Sequence, residues 1–407
     1  MSDQEVQQLI AKKKRSSHQQ VEEEEEEQQP SAKKKRIDTT MSDLPREILP
    51  IIFRKLTDHD MLVCAQVCVT WESEVRSILP QYLLLTNLSE KLGHPNNQVQ
   101  NSFITLFNTH IQEIRKIHLP KLFLEGRYFS SSSFGWLLTV THNRNPPHQV
   151  HLLNPFSGQR IELPPSTKHQ SPQDLRVIMS ANPSDAAANC LFLAINQNAR
   201  TFGICRQGQK SWTSLDFQIA FMDVIFYKGA LYGVDIHGDL CHLICGLKPD
   251  AKRLNERSSD TARTHSKYLV EMNGNLLLVE RFFSKEKNLH SSSPRSTYRV
   301  TENTYQFDVF KFKFDWFKPQ WIRVRSIGNY AILLGMFSSI SLPAKQSRYF
   351  KSNCIYFIDD SNSDAMFGCE FPDHNTGLYD MSTKHIERLY QSSQIWKNQL
   401  RWFRPRL

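Results

Sequence analysis

The stretch SDLPREILPIIFRKLTDHDMLVCAQVCVTWESEVRSILP, residues 42–80, carries the clearest helical pattern in the sequence. Ser42 and Asp43 can cap a helix, and Pro45 suits its first turn, where a missing N–H costs little. Apolar residues then recur at helical spacing, at Leu44, Ile48, Leu49, Ile52, Phe53 and Leu56. This pattern predicts a first helix with a wide apolar face.

Two further short helices are predicted within residues 41–82. The polar break Thr57–Asp60 precedes a helix that would hold Met61, Leu62 and Ala65. A third helix would carry Val67, Cys68, Trp71, Val75, Ile78 and Leu79 and end at Pro80. A module of about 40 residues is small for an independent core, so its apolar faces are expected to need a partner surface. Pro50 falls inside the first predicted helix and allows a local kink there.

Together these residues resemble the F-box, with Leu44-Pro45, a helix, a gap and then Val67-Cys68 and Trp71. The resemblance implies binding to the Skp adaptor of an SCF ubiquitin ligase and, through it, to cullin. The candidate adaptor contacts that it implies are Leu44, Pro45, Ile48, Leu49, Ile52, Phe53, Leu56, Val67, Cys68 and Trp71. Some of them must instead hold the three helices together, and the sequence does not separate the two sets. A generic helical hairpin is the alternative.

Residues 1–40 form a segment of biased composition, predicted to be a disordered charged tail because it has little to bury. The acidic run Glu22–Glu27 separates two basic clusters. The clusters look like a nuclear import signal formed by Lys12, Lys13, Lys14, Arg15, Lys33, Lys34, Lys35 and Arg36. We therefore expect the nucleus, with the cytoplasm as the alternative location. A merely solvated tail is the other interpretation of the same residues.

From residue 121 to 395 the pattern is that of β-structure, with short apolar segments between turn signals. Tyr227-Lys228-Gly229 and Asn273-Gly274-Asn275 are typical of hairpin turns. Many short strands over this length favour a β-propeller, with a sandwich or two β-domains as alternatives. The predicted fold class is mixed: a small all-α F-box of three helices, followed by a large all-β domain, a β-propeller.

The segments on either side of that domain are expected to lie outside it. Residues 83–120 are predicted to be a mostly helical or irregular connector, since Phe103, Ile104, Phe107 and Ile111 fit an amphipathic helix. Residues 396–407 are predicted to be a C-terminal tail.

The β region resembles a domain of plant F-box proteins catalogued as "domain of unknown function 295", which is kelch-like. The residues that carry this resemblance are Gly135-Trp136-Leu137, Leu153 to Gly158, Asn353 to Phe357 and Gly377 to Met381. They mark a family and point to no chemistry. Trp136, Trp212 and Trp321 are predicted to be core rings.

Composition narrows the possible functions. No apolar run approaches the length that spans a bilayer, and the N-terminus is too polar for a secretory signal, so a membrane is not expected. The eight cysteines are scattered, and they are predicted to be buried free thiols and not zinc ligands. No cofactor is expected. Asp235 and Asp239 are predicted to shape a hairpin around His237-Gly238.

The formal net charge is +9, and residues 1–40 hold 8 basic and 9 acidic side chains, which leaves +10 for the remainder. The best case for nucleic-acid binding is Lys311-Phe312-Lys313-Phe314 with Trp316-Phe317-Lys318. A strand with one exposed face also shows this alternation of lysine and phenylalanine, because successive side chains point to opposite faces of a sheet. Nucleic acid is therefore not expected as a partner.

The function predicted from these observations is that of a non-catalytic substrate-recognition subunit of an SCF-type ubiquitin ligase, with an unknown target protein on the β-domain. The sequence contains no His-Glu-x-x-His pair, no glycine-rich phosphate loop and no Gly-x-Ser-x-Gly elbow. A nuclear interaction scaffold that never enters a ligase is the alternative. A propeller hydrolase or sugar-binding module is a third hypothesis.

Overall fold

The chain folds into a short helical module followed by a series of β-sheets. The computed structural model describes residues 44–56, 58–78, 82–87, 103–108, 113–118, 127–141, 147–166, 175–185, 189–196, 201–246, 248–257, 264–289, 298–335, 339–344, 350–358, 375–388 and 398–403. The helices and sheets belong to one compact unit, Leu44–Leu407. The charged segment 1–40, with both basic clusters, lies outside the described residues.

Three helices form where three were predicted. They are α1 (Leu49–Phe53), α2 (Asp58–Cys64) and α3 (Val69–Ile78). The first begins later than expected, with Ile48 at its N-cap, and the Ile48 N–H donates to the Pro45 carbonyl oxygen at 3.0 Å in the turn before it. Pro50 therefore lies in the first turn of α1, where its missing N–H costs nothing. The reason for expecting a kink at Pro50 no longer holds.

The described residues also contain twenty-five strands. The first thirteen are β1 (Tyr82–Asn87), β2 (Phe103–Asn108), β3 (Glu113–His118), β4 (Arg127–Ser133), β5 (Trp136–Thr141), β6 (His148–Leu153), β7 (Arg160–Ser166), β8 (Leu175–Met179), β9 (Leu191–Asn196), β10 (Thr201–Arg206), β11 (Thr213–Asp216), β12 (Phe221–Tyr227) and β13 (Ala230–Asp235). The others are β14 (Leu240–Ile244), β15 (Asp250–Arg253), β16 (Thr264–Met272), β17 (Asn275–Leu289), β18 (Tyr298–Lys313), β19 (Gln320–Val324), β20 (Tyr330–Leu334), β21 (Ile340–Pro343), β22 (Cys354–Phe357), β23 (Gly377–Asp380), β24 (Ile386–Arg388) and β25 (Asn398–Phe403).

These strands form six sheets in the described part of the chain, numbered here as blades 1 to 6. Their strand orders are β25-β1-β2-β3, β4-β5-β6-β7, β8-β9-β10-β11, β12-β13-β14-β15, β16-β17-β18-β19 and β21-β20-β22-β23-β24. Neighbouring strands are antiparallel, except that β20 and β22 pair in parallel. The first strands of successive blades lie beside one another, from β25 and β4 through β8, β12 and β16 to β21. The domain is a β-propeller, as predicted.

The ring is closed by strands from its two ends. β25 pairs antiparallel with β1, from Tyr82 opposite Phe403 to Asn87 opposite Asn398. Trp402 of β25 also packs into the core of blade 6, where its Nε1 donates to the Leu334 carbonyl oxygen at 2.8 Å. Blade 1 is therefore assembled from strands at both ends of the β region.

This closure overturns the two flanking predictions. Residues 83–120, expected to be a helical connector, contain β1, β2 and β3, and residues 396–407, expected to be a tail, contain β25. Phe103, Ile104 and Phe107, whose spacing suggested a helix, lie in β2 opposite β3. Their short apolar run fits either structure, and the pairing partners, not the local pattern, decide it. The propeller strands therefore run from residue 82 to 403, beyond the predicted limits of 121 and 395.

Apolar side chains pack between neighbouring blades and not on one face of a single sheet. One cluster joins Trp136 and Val150 of blade 2 to Phe192 of blade 3. Similar clusters lie between blades 3 and 4, between 4 and 5, and between 5 and 6. Each blade interface in this series is thus a sheet-on-sheet core, and each blade depends on its neighbours for burial.

The three predicted core tryptophans pack on these clusters. Trp136 is buried, and Trp212 and Trp321 are partly buried against the cores beside them. Their Nε1 groups donate to Asn182 Oδ1, the Pro164 carbonyl oxygen and the Gly238 carbonyl oxygen, at 3.1, 2.8 and 2.9 Å. The prediction is confirmed, and each indole also ties a strand to a neighbouring loop.

Both predicted hairpin turns form. Lys228 and Gly229 have φ values of 49° and 79°, and Asn273 and Gly274 have φ values of 48° and 70°. Positive φ at both central residues is the conformation of a two-residue turn that matches the twist of the flanking strands. The Tyr227 hydroxyl donates to the Gly274 carbonyl oxygen at 2.7 Å, so the two turns are joined across blades 4 and 5.

Asp235 and Asp239 shape the β13–β14 hairpin, as predicted. Asp235 Oδ1 accepts hydrogen bonds from the His237 and Asp239 N–H groups, each at 2.9 Å. Arg253 lies 3.2 Å from Asp235 and 3.4 Å from Asp239, which pairs it with both carboxylates. Burial raises the pKa of Asp239, although the Arg257 N–H donates to its Oδ1 at 2.7 Å.

The same charged group continues into blade 5. Arg257 donates to Glu280 Oε1 at 2.7 Å, and Lys267 Nζ lies 3.9 Å from that oxygen. Glu280 and Lys267 are almost completely buried, and desolvation lowers the pKa of the Lys267 ammonium. Buried charges need such partners, so the group fixes blade 4 against blade 5.

The four buried thiols are in environments that make them unreactive. Cys190, Cys205, Cys241 and Cys354 are buried, and burial raises the pKa of Cys205 to about 12 and of Cys241 and Cys354 to about 11. Thiols with such values stay protonated at neutral pH and react slowly. Cys245 is exposed, so for it the prediction of a buried thiol is wrong.

Arg281 joins blades 5 and 6 from a fully buried position. Its guanidinium donates to Thr304 Oγ1 at 2.9 Å and to the carbonyl oxygens of Ile358 and Asn375 at 2.7 and 2.8 Å. It also lies over the Phe357 ring, 4.7 Å from the centroid. The side chain therefore satisfies one buried and one part-buried backbone acceptor.

We predict that Arg281→Met lowers the free energy of unfolding by about 3 kcal/mol or more, because it strands buried carbonyl oxygens. Arg323→Met is the matched control, since Arg323 pairs with Asp308 at the surface and should contribute at most about 1 kcal/mol. Urea unfolding followed by tryptophan fluorescence measures both. Equal losses in the two variants would contradict the assignment.

Candidate protein-interaction surface

An exposed apolar strip runs along α1 and the turn before it. Leu44, Ile48, Ile51 and Ile52 are 37%, 42%, 58% and 37% exposed. Positions three and four apart share one face of a helix, which brings Ile48, Ile51 and Ile52 together. Four exposed apolar side chains on one short segment are typical of a surface that contacts another protein, and they are unusual for a helix that faces only solvent.

The opposite face of α1 builds the core of the module. Leu49 and Phe53 are fully buried and pack with Trp71 and Val75 of α3. The rings of Phe53 and Trp71 meet edge-on, with centroids 5.4 Å apart. Met61 of α2 completes this core. The apolar residues of α1 therefore divide into one set that folds the module and one set that faces outward.

The ten residues that were predicted to contact an adaptor differ in their exposure to solvent. Those that are exposed are Leu44, Pro45, Ile48, Ile52 and Val67. Those that are buried are Leu49, Phe53 and Trp71. Those that are half-buried are Leu56 and Cys68. The structure thus separates residues that hold the three helices together from residues that stay exposed, a division that the sequence left open.

Three exposed apolar residues were missed by the sequence reasoning. Ile51, Val63 and Val69 are 58%, 50% and 81% exposed. Ile51 carried a usable signal, because it lies three residues after Ile48 on the same face. Val63 and Val69 lie at the end of α2 and the start of α3, where a short helix gives too little periodicity to assign a face.

Arg46 fixes the turn ahead of α1 to the third helix. Its Nε lies 2.8 Å from Glu74 Oε1, with the Arg46 side chain 64% exposed and that of Glu74 17% exposed. An ion pair this open to solvent contributes little free energy. The pair shows that the segment bearing Leu44 lies beside α3.

The helical module is seated on the propeller through one turn of blade 2. Phe156, between β6 and β7, packs against the helical core and stacks on Phe403 of β25, with centroids 6.1 Å apart. Asn154 Oδ1 accepts hydrogen bonds from the Phe156 and Ser157 N–H groups at 3.0 and 3.2 Å, and Gly158 closes the turn with φ of 71°. This turn presents an aromatic ring to the helices.

Among the described residues, no group of three or more His, Cys, Asp or Glu side chains is placed to hold a metal ion. The helices of the described part of the chain are all too short or too polar to cross a membrane.

Two family models match this chain. Residues 104–380 match the family model described as the KIB1-4 β-propeller, and residues 41–79 match the model described as F-box-like. F-box protein At2g26160 of Arabidopsis thaliana is 25% identical over 352 residues, which cover 78% of this chain and 95% of that protein. F-box protein SKIP23 of the same plant is 22% identical over 391 residues, which cover 85% of this chain and 90% of that protein.

Solved structures are more distant. A crystal structure of a protein from Lactobacillus plantarum covers 80% of this chain and 100% of its own, at 10% identity and a TM-score of 0.39. A likeness at that score bears on neither fold nor function. The F-box-like helices and the β-propeller predicted from the sequence are confirmed by the family models and by the strand topology.

Two neighbouring residues of α1 test the division between core and surface. Phe53→Ala should open the module, because truncating a buried Phe costs about 3–5 kcal/mol. Ile52→Ala should leave it closed, because Ile52 is 37% exposed. Hydrogen exchange over residues 44–78 distinguishes them: fast exchange is expected for Phe53→Ala alone. Equal protection in the two variants would refute the division.

Proposed function

We propose that this protein, which belongs to the KIB1-4 β-propeller family, is the substrate-recognition subunit of an SCF-type ubiquitin ligase. The observation that carries the proposal is the exposed apolar strip on α1, which the module's own core does not cover. The F-box-like match over the same helices and the relatives described as F-box proteins support it.

The contact proposed for the Skp adaptor uses the exposed residues of the module. Leu44, Pro45, Ile48, Ile52 and Val67 come from the predicted set, and Ile51, Val63 and Val69 extend it. Burying these side chains in a hydrophobic groove removes their apolar surface from water. This burial favours binding by a free energy of about 25 cal/mol for each Å² of apolar surface. The half-buried Leu56 and Cys68 lie at the margin of this contact. Cullin joins through the adaptor and touches none of these residues.

The propeller is proposed to hold the target protein, and this chain carries out no bond chemistry. Its effect is to raise the effective concentration of target lysines near the ubiquitin-charged transferase. Phe156 serves this role, because it fixes the helices to blade 2 and so limits the freedom between adaptor and target. The relation to the kelch-like "domain of unknown function 295" of plant F-box proteins is part of this proposal.

Ile48→Asp should abolish co-purification with the adaptor, because it places a charge in an apolar contact. The fold should survive, since Ile48 is 42% exposed and lies outside the core. Ile244→Asp is the matched control: Ile244 is 43% exposed at the end of β14, and its change should leave adaptor binding intact. Pull-down of tagged full-length chains with the adaptor measures both.

Three outcomes of that pull-down decide the proposal. Failure of the wild-type chain to retain the adaptor overturns it. Retention by Ile48→Asp moves the contact away from α1 and refutes the proposed surface. An adaptor complex that never contains cullin favours the nuclear scaffold instead.

The nucleus is the proposed site of action, on the strength of the two basic clusters that flank Glu22–Glu27. Changing Lys33, Lys34, Lys35 and Arg36 to Ala should shift a fluorescent fusion from the nucleus to the cytoplasm. Removing the charges of Glu22–Glu27 should not, because import receptors read the basic residues. A cytoplasmic wild-type fusion would contradict the proposal.

A further inference from the structure

The turn between β18 and β19 holds two aromatic side chains entirely in solvent. Trp316 is 100% exposed and Phe317 is 99% exposed, and Phe314 just before them is 47% exposed. Single exposed apolar residues are ordinary, but three aromatic rings within four positions form a contiguous apolar surface. We call residues 314–318 the aromatic tip. The period-two alternation expected for this region ends at Phe314, so a half-exposed strand does not account for Trp316 and Phe317.

The tip is shaped by its own polar groups. Asp315 Oδ1 accepts a hydrogen bond from the Phe317 N–H at 3.0 Å. The other carboxylate oxygen lies 3.1 Å from Lys313 Nζ, an ion pair that spans the end of β18. These contacts set the backbone of the turn. The two rings are thus presented outward on a turn whose backbone is fixed, so a partner that covers them has only their side chains to order.

An aromatic base connects the tip to blade 4. Phe314 stacks on Tyr227, with centroids 5.9 Å apart and an interplanar angle of 11°, and meets Tyr232 edge-on at 5.7 Å. Tyr232 in turn lies 5.3 Å from the His242 ring. Tyr227 is buried, and Tyr232 and His242 are half-buried, so the apolar surface continues from the tip onto the rings of Tyr232 and His242. A partner that extends past Phe314 would meet the half-buried Tyr232 and His242 rings.

The charge around the tip is basic. Lys318 and Asp315 lie within it, Lys311 and Lys313 come just before it on β18, and Lys228 lies beside the Tyr227 ring that Phe314 stacks on. Lys228 Nζ lies 5.2 Å from the Tyr227 ring centroid, which places it on the aromatic base. Within the described ranges, Lys313 has an ion pair, and Lys228, Lys311 and Lys318 have none. Unpaired lysines beside exposed rings are complementary to a partner that offers carboxylates and an apolar side chain.

We propose that the aromatic tip is the surface that captures the target protein, through an acidic segment that carries an apolar or aromatic residue. This inference rests on the proposed function and names the partner chemistry of the propeller. Trp316 and Phe317 supply the anchor that the partner would bury. Tryptophan is among the residue types enriched in binding hot spots. Lys311 and Lys318 pair with the acidic side chains at the rim of the contact.

Two other partner classes fit the tip less well. Single-stranded nucleic acid is held by a basic groove in which successive bases stack, whereas Trp316 and Phe317 lie on a projecting turn. A lipid surface accepts exposed Trp and Lys, but it leaves the polar groups of Tyr232 and His242 without a role. Both classes are included as arms of the test.

The test measures binding of defined probes to the full-length chain by fluorescence polarisation. The first probe is a pool of labelled peptides in which one Phe or Leu is flanked by Asp and Glu. The matched pool has Lys in place of each acid. The other arms are labelled oligothymidylate and vesicles of phosphatidylserine with phosphatidylcholine. We expect the acidic pool to bind, and to bind more weakly as salt is raised.

Variants locate the contact. Trp316→Ala with Phe317→Ala should weaken the acidic pool at least about 30-fold, the loss that follows truncation of a hot-spot anchor. Lys311→Glu with Lys318→Glu should weaken it as well. Tyr305→Ala is the control, since Tyr305 is a 49% exposed aromatic of the same strand, away from the tip, and its change should have no effect.

The remaining outcomes overturn the inference. Equal binding of the acidic and lysine pools removes the charge argument. Preference for oligothymidylate or for vesicles assigns the tip to another partner class. Unchanged binding in the Trp316→Ala, Phe317→Ala chain moves the site elsewhere. Adaptor pull-down of each variant keeps the two proposals distinguishable: a chain that binds the peptides but not the adaptor retains this surface and loses the ligase function.

Discussion

The pairing of β25 with β1 is the contact on which the rest of the propeller depends. Every blade buries its apolar side chains against a neighbour, so an open ring would leave cores exposed at both ends. The six residue pairs from Tyr82 and Phe403 to Asn87 and Asn398 remove those ends. Trp402 adds a hydrogen bond and a buried ring to blade 6 at the same place. A propeller whose ring of blades is closed in this way leaves only short, protected sheet edges.

The helical module faces the opposite problem, because it must fold and still keep apolar surface free. α1 meets both demands by alternating its faces: Leu49 and Phe53 enter the core, while Ile48 and Ile52 remain outside it. With so few residues, the module's core is small. The aromatic contact of Phe156 enlarges it with a ring from the propeller. Phe156 therefore both adds to the core of the module and places the module on blade 2.

Local patterns were readable from the sequence, and partners distant in the chain were not. The hairpins at Lys228-Gly229 and Asn273-Gly274 were predictable because positive φ is a property of those residues themselves. The helices followed from spacing, although Ile52 and Phe53 look alike in sequence, and only packing against Trp71 separates them. β2 was misjudged because its strand identity depends on β3 and, through β1, on β25. The exposure of Trp316 could not be predicted, because the residue type alone does not distinguish an exposed tryptophan from a core tryptophan.

The turn that carries Phe156 is the third turn of blade 2, and the turn that carries Trp316 is the third turn of blade 5. Blades of a propeller are related by rotation about the central axis, so equivalent turns lie at the same rim. Because Phe156 packs against the helices, the helices and the aromatic tip lie at the same rim, on blades that are three apart among the six in the described part of the chain. If both proposed contacts form, a segment bound at the tip lies across the ring from the adaptor. The length of chain between that segment and a target lysine, more than binding strength, would then decide which lysines are modified.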